Sequence, residues 1–168
     1  MSTRKGTFVT LKKLADEIGN DAIYFFYLTK SSNQHLDFDL DLAVSQDKNN
    51  PVYYIQYAHA RIEKILNQIE PIDNKEFDPE LITENEDKKL ISCLNQYKDV
   101  FQKSLNNLEP HLLANYLYEL ASAFHSYYSK TKIITEDINC SRVYLISAVQ
   151  KILKCGLGLL NISAPDEM

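Results

Sequence analysis

Tyr54, Tyr57 and Arg61 stand three and four residues apart, so on a helix they form one neighbouring row of two phenol rings and a guanidinium. Ring faces stack on flat partners, and the guanidinium offers a rigid fork of N–H donors. Such a row suits a nucleotide base. The competing reading makes the tyrosines core rings with satisfied hydroxyls, and the residues by themselves leave both open. His59, in the same segment, reads as structural, because a lone histidine on a helix is rarely catalytic.

Other chemistries find little support. Cys93, Cys140 and Cys155 are odd in number and far apart, which argues against a disulfide framework and against a CxxC zinc site; they read as reduced core thiols. His35, His59, His111 and His125 are dispersed, with no HxxxH or HExxH pair. No metal site is expected. A free-standing enzyme is the poorest reading, since no nucleophile–base set or metal cluster is visible.

The row must be carried by a helix, and the surrounding residues supply one. Pro51 suits a first turn, and Val52, Ile55, Ala58, Ile62, Ile65, Leu66 and Ile69 recur at helical spacing as a buried stripe. Before it, a short Thr7–Thr10 segment reads as a strand, and Thr10 to Gly19 as a capped helix with Leu11, Leu14, Ala15 and Ile18 on one face. Asp21–Lys30 is apolar almost all round, which predicts a buried helix. The alternation of His35–Leu42 resembles a half-buried strand, yet Asp37 or Asp39 could equally cap a helix running to Gln46.

From Asn50 onward the pattern predicts helices at about 50–69, 86–105, 110–129 and 141–155, with Pro110 at a start and Gly156 at an end. The fold class is therefore all-α, a helical bundle. Leu113, Tyr116, Leu117, Leu120, Ala121 and Phe124 form the stripe of the 110–129 helix, with Tyr127 and Tyr128 at its end.

A chain of 168 residues and 19.4 kDa with 45% apolar and 24% charged residues has globular composition. No apolar run approaches a membrane span and no signal-peptide core is present, so a cytoplasmic location without membrane contact is expected. The formal charge of −5 opposes nucleic-acid binding at first sight, because phosphate contacts need Lys and Arg. The acidity is local, however: residues 70–87 sum to −7 and the remainder to +2, with +3 over residues 129–155. The plainest reading of that basic stretch is a solvated helix face.

Several segments, in order, resemble the C-terminal part of arginyl-tRNA synthetase, a class I synthetase. They are Met1–Gly6, Phe8–Leu11, Asp21-Ala22, His35–Asp39, Asn50–Arg61 and the ending Ile162–Met168. The resemblance spans essentially the whole chain, and Asn50–Arg61 is its most specific part. It implies the end of a KMSKS loop and a linking, stem-contact segment over residues 1–46, then a helical anticodon-binding domain of the DALR type over 47–168. The family uses ATP and Mg²⁺ to activate arginine and transfers it to tRNA(Arg). Its catalytic domain with the HIGH-type motif has no counterpart here, so the chain alone is expected to be inactive, to need no cofactor and to be a monomer.

In the loop, Met1 and Ser2 match the family while Thr3 and Arg4 replace the Lys-Ser ending. Arg4 and Lys5 would then face ATP phosphates, where cations stabilise charge developing during adenylate formation. Cut from its partner domain, this hexapeptide is expected to fray. The resemblance also implies an anticodon pocket built from Tyr54, Tyr57, Arg61, Tyr128 and Met168. All arginine codons have a central G, so the shared anticodon base is a central C. Splayed anticodon bases stack on aromatic rings and hydrogen-bond at their edges. Tyr54 and Tyr128 would line or stack, Arg61 would donate to base or phosphate, and the Met168 carboxylate would accept from an amino group. The alternative function is a synthetase-derived module for protein contacts, using the acidic 70–87 connector and binding no tRNA.

Overall fold

A computed structural model of the chain describes residues 11–69, 77–134 and 139–168. Its helices are α1 (Leu11–Ile18), α2 (Asn20–Leu28), α3 (Leu40–Val44), α4 (Pro51–Leu66), α5 (Asn85–Asn95), α6 (Tyr97–Asn107), α7 (Pro110–Lys130) and α8 (Cys140–Leu159), with a 3₁₀ turn at Pro79–Leu81. There is no strand among the described residues, and the fold is the expected all-α bundle. The Thr7–Thr10 strand and the loop residues Met1, Ser2, Thr3, Arg4 and Lys5 lie outside the described residues.

Local chemistry accounts for the helix ends. Gly19 closes α1 at φ +82°, a conformation that only glycine takes without strain, and its N–H donates to the Ala15 carbonyl at 3.0 Å. The alternating His35–Leu42 stretch takes the helical option at its end. Asp39 stays extended, and its carboxylate accepts the Leu42 N–H at 3.0 Å to start α3. Asn50 starts α4: its side-chain oxygen accepts the Tyr53 N–H at 3.4 Å while its amide donates to the Ala43 and Ser45 carbonyls at 3.1 and 2.9 Å. Pro51 follows in the first turn, where its missing N–H has no partner to lose.

Helices α4, α7 and α8 pack against one another to make the core, and α5 and α6 cover α7. Ile55, Ile62, Leu117, Leu120, Ile146 and Leu153 are all fully buried there. Burial at this level removes apolar side chains from water at about 25 cal/mol per Å², so three interlocked stripes of this kind fix the bundle. The α4 and α7 stripes read from the sequence are the ones that meet.

Three details differ from the sequence reading. Helix α2 is two-sided: Ala22, Ile23, Phe25 and Phe26 are buried, while Tyr24 and Tyr27 are exposed. The expected 86–105 helix is two helices meeting at Gln96. There the Cys93 carbonyl takes the Gln96 N–H at 3.2 Å and also the Tyr116 hydroxyl at 3.2 Å, so a tightened turn replaces a regular one.

Gly156 does not end the last helix. It lies inside α8, fully covered, where a Cβ would come within 2.5 Å of the Leu117 Cδ2 on α7. The glycine is there for close approach of two helices rather than for a left-handed turn. Gly156→Ala is expected to destabilise the fold by about 1 kcal/mol, overpacking outweighing the helix-propensity gain. Urea unfolding measures this, and an alanine variant at least as stable as the parent would refute the close-packing role.

Candidate nucleic-acid interface

Tyr57 and Arg61 lie one helical turn apart on α4, and the Arg61 Nη2 donates to the Tyr57 hydroxyl at 2.5 Å. The same guanidinium lies 4.4 Å from the Tyr57 ring centroid and 5.0 Å from that of Tyr128. Tyr128 comes from the last turn of α7, so the cation is held between rings of two helices. Tyr53 stacks on the other side of the row, 6.1 Å from Tyr57 and nearly parallel.

These groups open onto a cavity of about 1150 Å³. Tyr57, Arg61 and Tyr128 line it together with Lys64, Gln68, Lys132 and the tail residues Asp166, Glu167 and Met168. Tyr128 is 40% and Met168 51% exposed, so their apolar faces are available to a ligand. Its lining therefore combines aromatic rings, cations and acids.

Tyr54 sits elsewhere. One turn before Tyr57, it packs against Tyr118 at 5.6 Å and the His125 ring at 4.4 Å and does not line the cavity. Of the five residues expected at the pocket, Tyr57, Arg61, Tyr128 and Met168 come together and Tyr54 stands behind them.

Met168 reaches this place because the tail is strapped along α4. The Gln56 amide donates to the Ser163 carbonyl at 3.0 Å and to an Asp21 oxygen at 2.9 Å, and the Ser163 N–H and hydroxyl also bond to Asp21. One turn on, His59 Nδ1 lies 3.0 Å from the Pro165 carbonyl. A carbonyl can only accept, so Nδ1 carries the proton and the fully buried Nε2 is left without a partner. Lys154 of α8 pairs with Asp166 at 3.5 Å. Gln56 and His59 are thus buried polar residues on an apolar face, a sequence signal that marks them as bonded without saying to what.

A ring nitrogen of His59 and one carboxylate oxygen each of Glu63 and Asp166 lie within 4.8 Å of one another, close enough to share a metal ion. Glu63 is already bonded to Gln150 and Asp166 to Lys154. Spacing could not disclose this trio, because its third member is more than a hundred residues from the other two.

Behind the cavity, a buried ion network fixes the end of α7. Asp87 of α5, with no exposed surface, accepts the Tyr127 hydroxyl at 2.9 Å and the Arg142 Nη2 of α8 at 3.1 Å, and Glu84 pairs with the same guanidinium at 2.8 Å. Burial and the bond to Asp87 push the Tyr127 hydroxyl well above its usual pKa, so it remains a donor. Tyr127 points in and its neighbour Tyr128 points out, so the network sets the direction of the ring that faces the cavity.

Known proteins share this fold. The family described as the DALR anticodon binding domain matches residues 55–168. Arginine--tRNA ligase of Coxiella burnetii (strain RSA 493 / Nine Mile phase I) is 48% identical over 176 residues, covering 100% of this chain and 30% of that protein. Arginine--tRNA ligase of Vesicomyosocius okutanii is 49% identical over 170 residues with the same coverage. Arginyl-tRNA synthetase of Thermus thermophilus superposes with a TM-score of 0.80 at 26% identity over 98% of this chain and 29% of that one. The Plasmodium falciparum arginyl-tRNA synthetase gives 0.77 at 25% identity over 95% of this chain and 29% of that one. The chain spans about 30% of the length of the curated relatives it matches. With the aromatic and guanidinium cavity lying inside the matched residues, the chain belongs to the DALR anticodon binding domain family.

Proposed function

We propose that this chain is the tRNA-binding part of an arginine--tRNA ligase and that its cavity takes the central cytosine of the tRNA(Arg) anticodon. The observation that carries the reading is the Arg61 guanidinium held between the Tyr57 and Tyr128 rings at the edge of an open cavity. A splayed pyrimidine stacks on the exposed face of Tyr128, worth about 1–3 kcal/mol for a base on an aromatic ring. Arg61 donates to the base edge or its phosphate, and Lys64 and Lys132 meet neighbouring phosphates. Met168 closes the side of the pocket, held in place by the strap over Gln56 and His59. Tyr54 acts through the packing of His125.

In the whole ligase, ATP, Mg²⁺ and arginine are handled by a catalytic domain outside these residues, with Met1–Lys5 contributing to the ATP loop. Residues 1–46 link that domain to the anticodon-binding part. Of the acidic connector that the protein-contact alternative would use, Glu84, Glu86 and Asp87 are engaged by Arg142, Lys89 and Lys130 within the fold, while Asp78 and Glu80 are exposed.

Binding of a tRNA(Arg) transcript, followed by fluorescence anisotropy, tests the reading. Replacing the central anticodon C by U is expected to weaken binding about tenfold, within the roughly 1–3 kcal/mol that one misread base costs. Affinity should fall with salt by a logarithmic slope of about −0.7 per phosphate contact. Equal affinity for the two transcripts would remove the anticodon from the account.

A further inference from the structure

His125 of α7 is tied to α4 at both ring nitrogens. Its Nε2 lies 3.3 Å from the Tyr54 carbonyl and its Nδ1 lies 3.4 Å from the Arg61 Nη1. A carbonyl only accepts and a guanidinium only donates, so the ring is neutral with its proton on Nε2 and its lone pair on Nδ1 turned to Arg61. The ring also rests against Tyr54 at 4.4 Å and Tyr57 at 5.7 Å, which fixes its plane.

We propose that His125 is a positioning residue for the interface: in this one tautomer it holds the Arg61 guanidinium between the Tyr57 and Tyr128 rings, and protonation releases it. The proposal rests on the reading that Arg61 meets the RNA. A proton on Nδ1 would replace an acceptor with a donor and set a second positive charge against the guanidinium. Among the described residues, the charged group acting on the ring is Arg61, and the titratable rings against it are Tyr54 and Tyr57, all from α4. Burial first, and the Arg61 charge with it, hold the imidazole below its ordinary pKa of 6.5, against the opposing effect of the Tyr54 carbonyl. The ring is therefore neutral at pH 7 and above, where the contact is complete, and the contact is lost as pH falls through the depressed value.

The test compares tRNA(Arg) affinity from about pH 5.5 to 7.5 for the 168-residue chain, His125→Gln and His125→Ala, with circular dichroism confirming the fold at each pH. A glutamine amide can donate to Tyr54 and accept from Arg61 without titrating. His125→Gln is expected to bind like the parent at pH 7.5 and to lack its acid-side loss of about fivefold. His125→Ala is expected to bind about fivefold more weakly at every pH. Where Arg61→Ala binds tRNA more weakly than the parent, identical pH profiles for the parent and His125→Gln, or parental affinity in His125→Ala, overturn the proposal. Nitrogen-15 spectra of the RNA-free chain add an independent reading: the Arg61 guanidinium signal should move in step with His125 titration, and a signal that does not move overturns it. If that signal moves while Arg61→Ala binds tRNA as tightly as the parent, the positioning role stands and the anticodon reading fails.

Discussion

Arg142→Met is expected to lower the free energy of unfolding by about 3 kcal/mol, among the larger effects available to a single side chain. Arg142 is only 14% exposed and Asp87 not at all, and the two are joined at 3.1 Å. Burial works against the Arg142 charge, and the bonds to Glu84 and Asp87 outweigh it, holding the guanidinium above its ordinary pKa range. With methionine in its place, the Asp87 carboxylate keeps the Tyr127 hydroxyl and the Glu84 N–H as donors but has no countercharge in a dry setting. The loss comes mainly from that stranded anion rather than from the value of the pair itself. Urea unfolding of Arg142→Met, Asp87→Asn and the double variant resolves the point. The double variant should recover part of the loss, because the stranded charge is gone. Glu84, 53% exposed, should tolerate glutamine with a change below about 1 kcal/mol. An Arg142→Met variant within about 0.5 kcal/mol of the parent would mean that the network contributes nothing to stability.

Arg61→Ala should weaken tRNA(Arg) binding by about 30- to 100-fold at low salt, which corresponds to about 2–3 kcal/mol for losing charge-assisted bonds and a stacked cation together. The residue is half-buried and its partners are aromatic rings and a histidine rather than core aliphatics, so the fold should survive. Arg61→Lys separates charge from shape. An ammonium keeps the charge but cannot lie flat between Tyr57 and Tyr128 while donating in plane, so an intermediate loss of about tenfold is expected. The salt slope should shrink by about 0.7 in Arg61→Ala if the contact is to phosphate and hold steady if it is to the base edge. Parental affinity in Arg61→Ala would sink the proposed interface.

The residues that determine helices were readable because their signals are local. The α4 and α7 stripes follow from a 3.6-residue period, and Asp39, which starts α3, is one of the two acids read as able to cap a helix there. Where a long-range contact decides, local reading fails. The turn at Gln96 depends on Tyr116 reaching the Cys93 carbonyl, and Gly156 is read as a helix end when its reason is Leu117 on another helix. The exposure of Tyr24 and Tyr27 follows from which side of α2 faces α4 and α7, and an all-apolar run leaves that side unspecified.

The same division holds for the interface. Sequence alone determined the all-α class, the helix that carries Tyr57 and Arg61, and the types of side chain suited to a base, since each depends on neighbours within one turn or on residue chemistry. Only the tertiary structure decided that Tyr128 comes to Arg61 from α7, that Tyr54 stands behind the cavity, and that Gln56 and His59 hold the tail that brings Met168 to it. His125 gained its place in the same way, through two nitrogens that meet different residues of α4. Hydrogen bonds and ring contacts across helices depend on how the buried stripes register against one another. That register is a property of the packed core rather than of any segment.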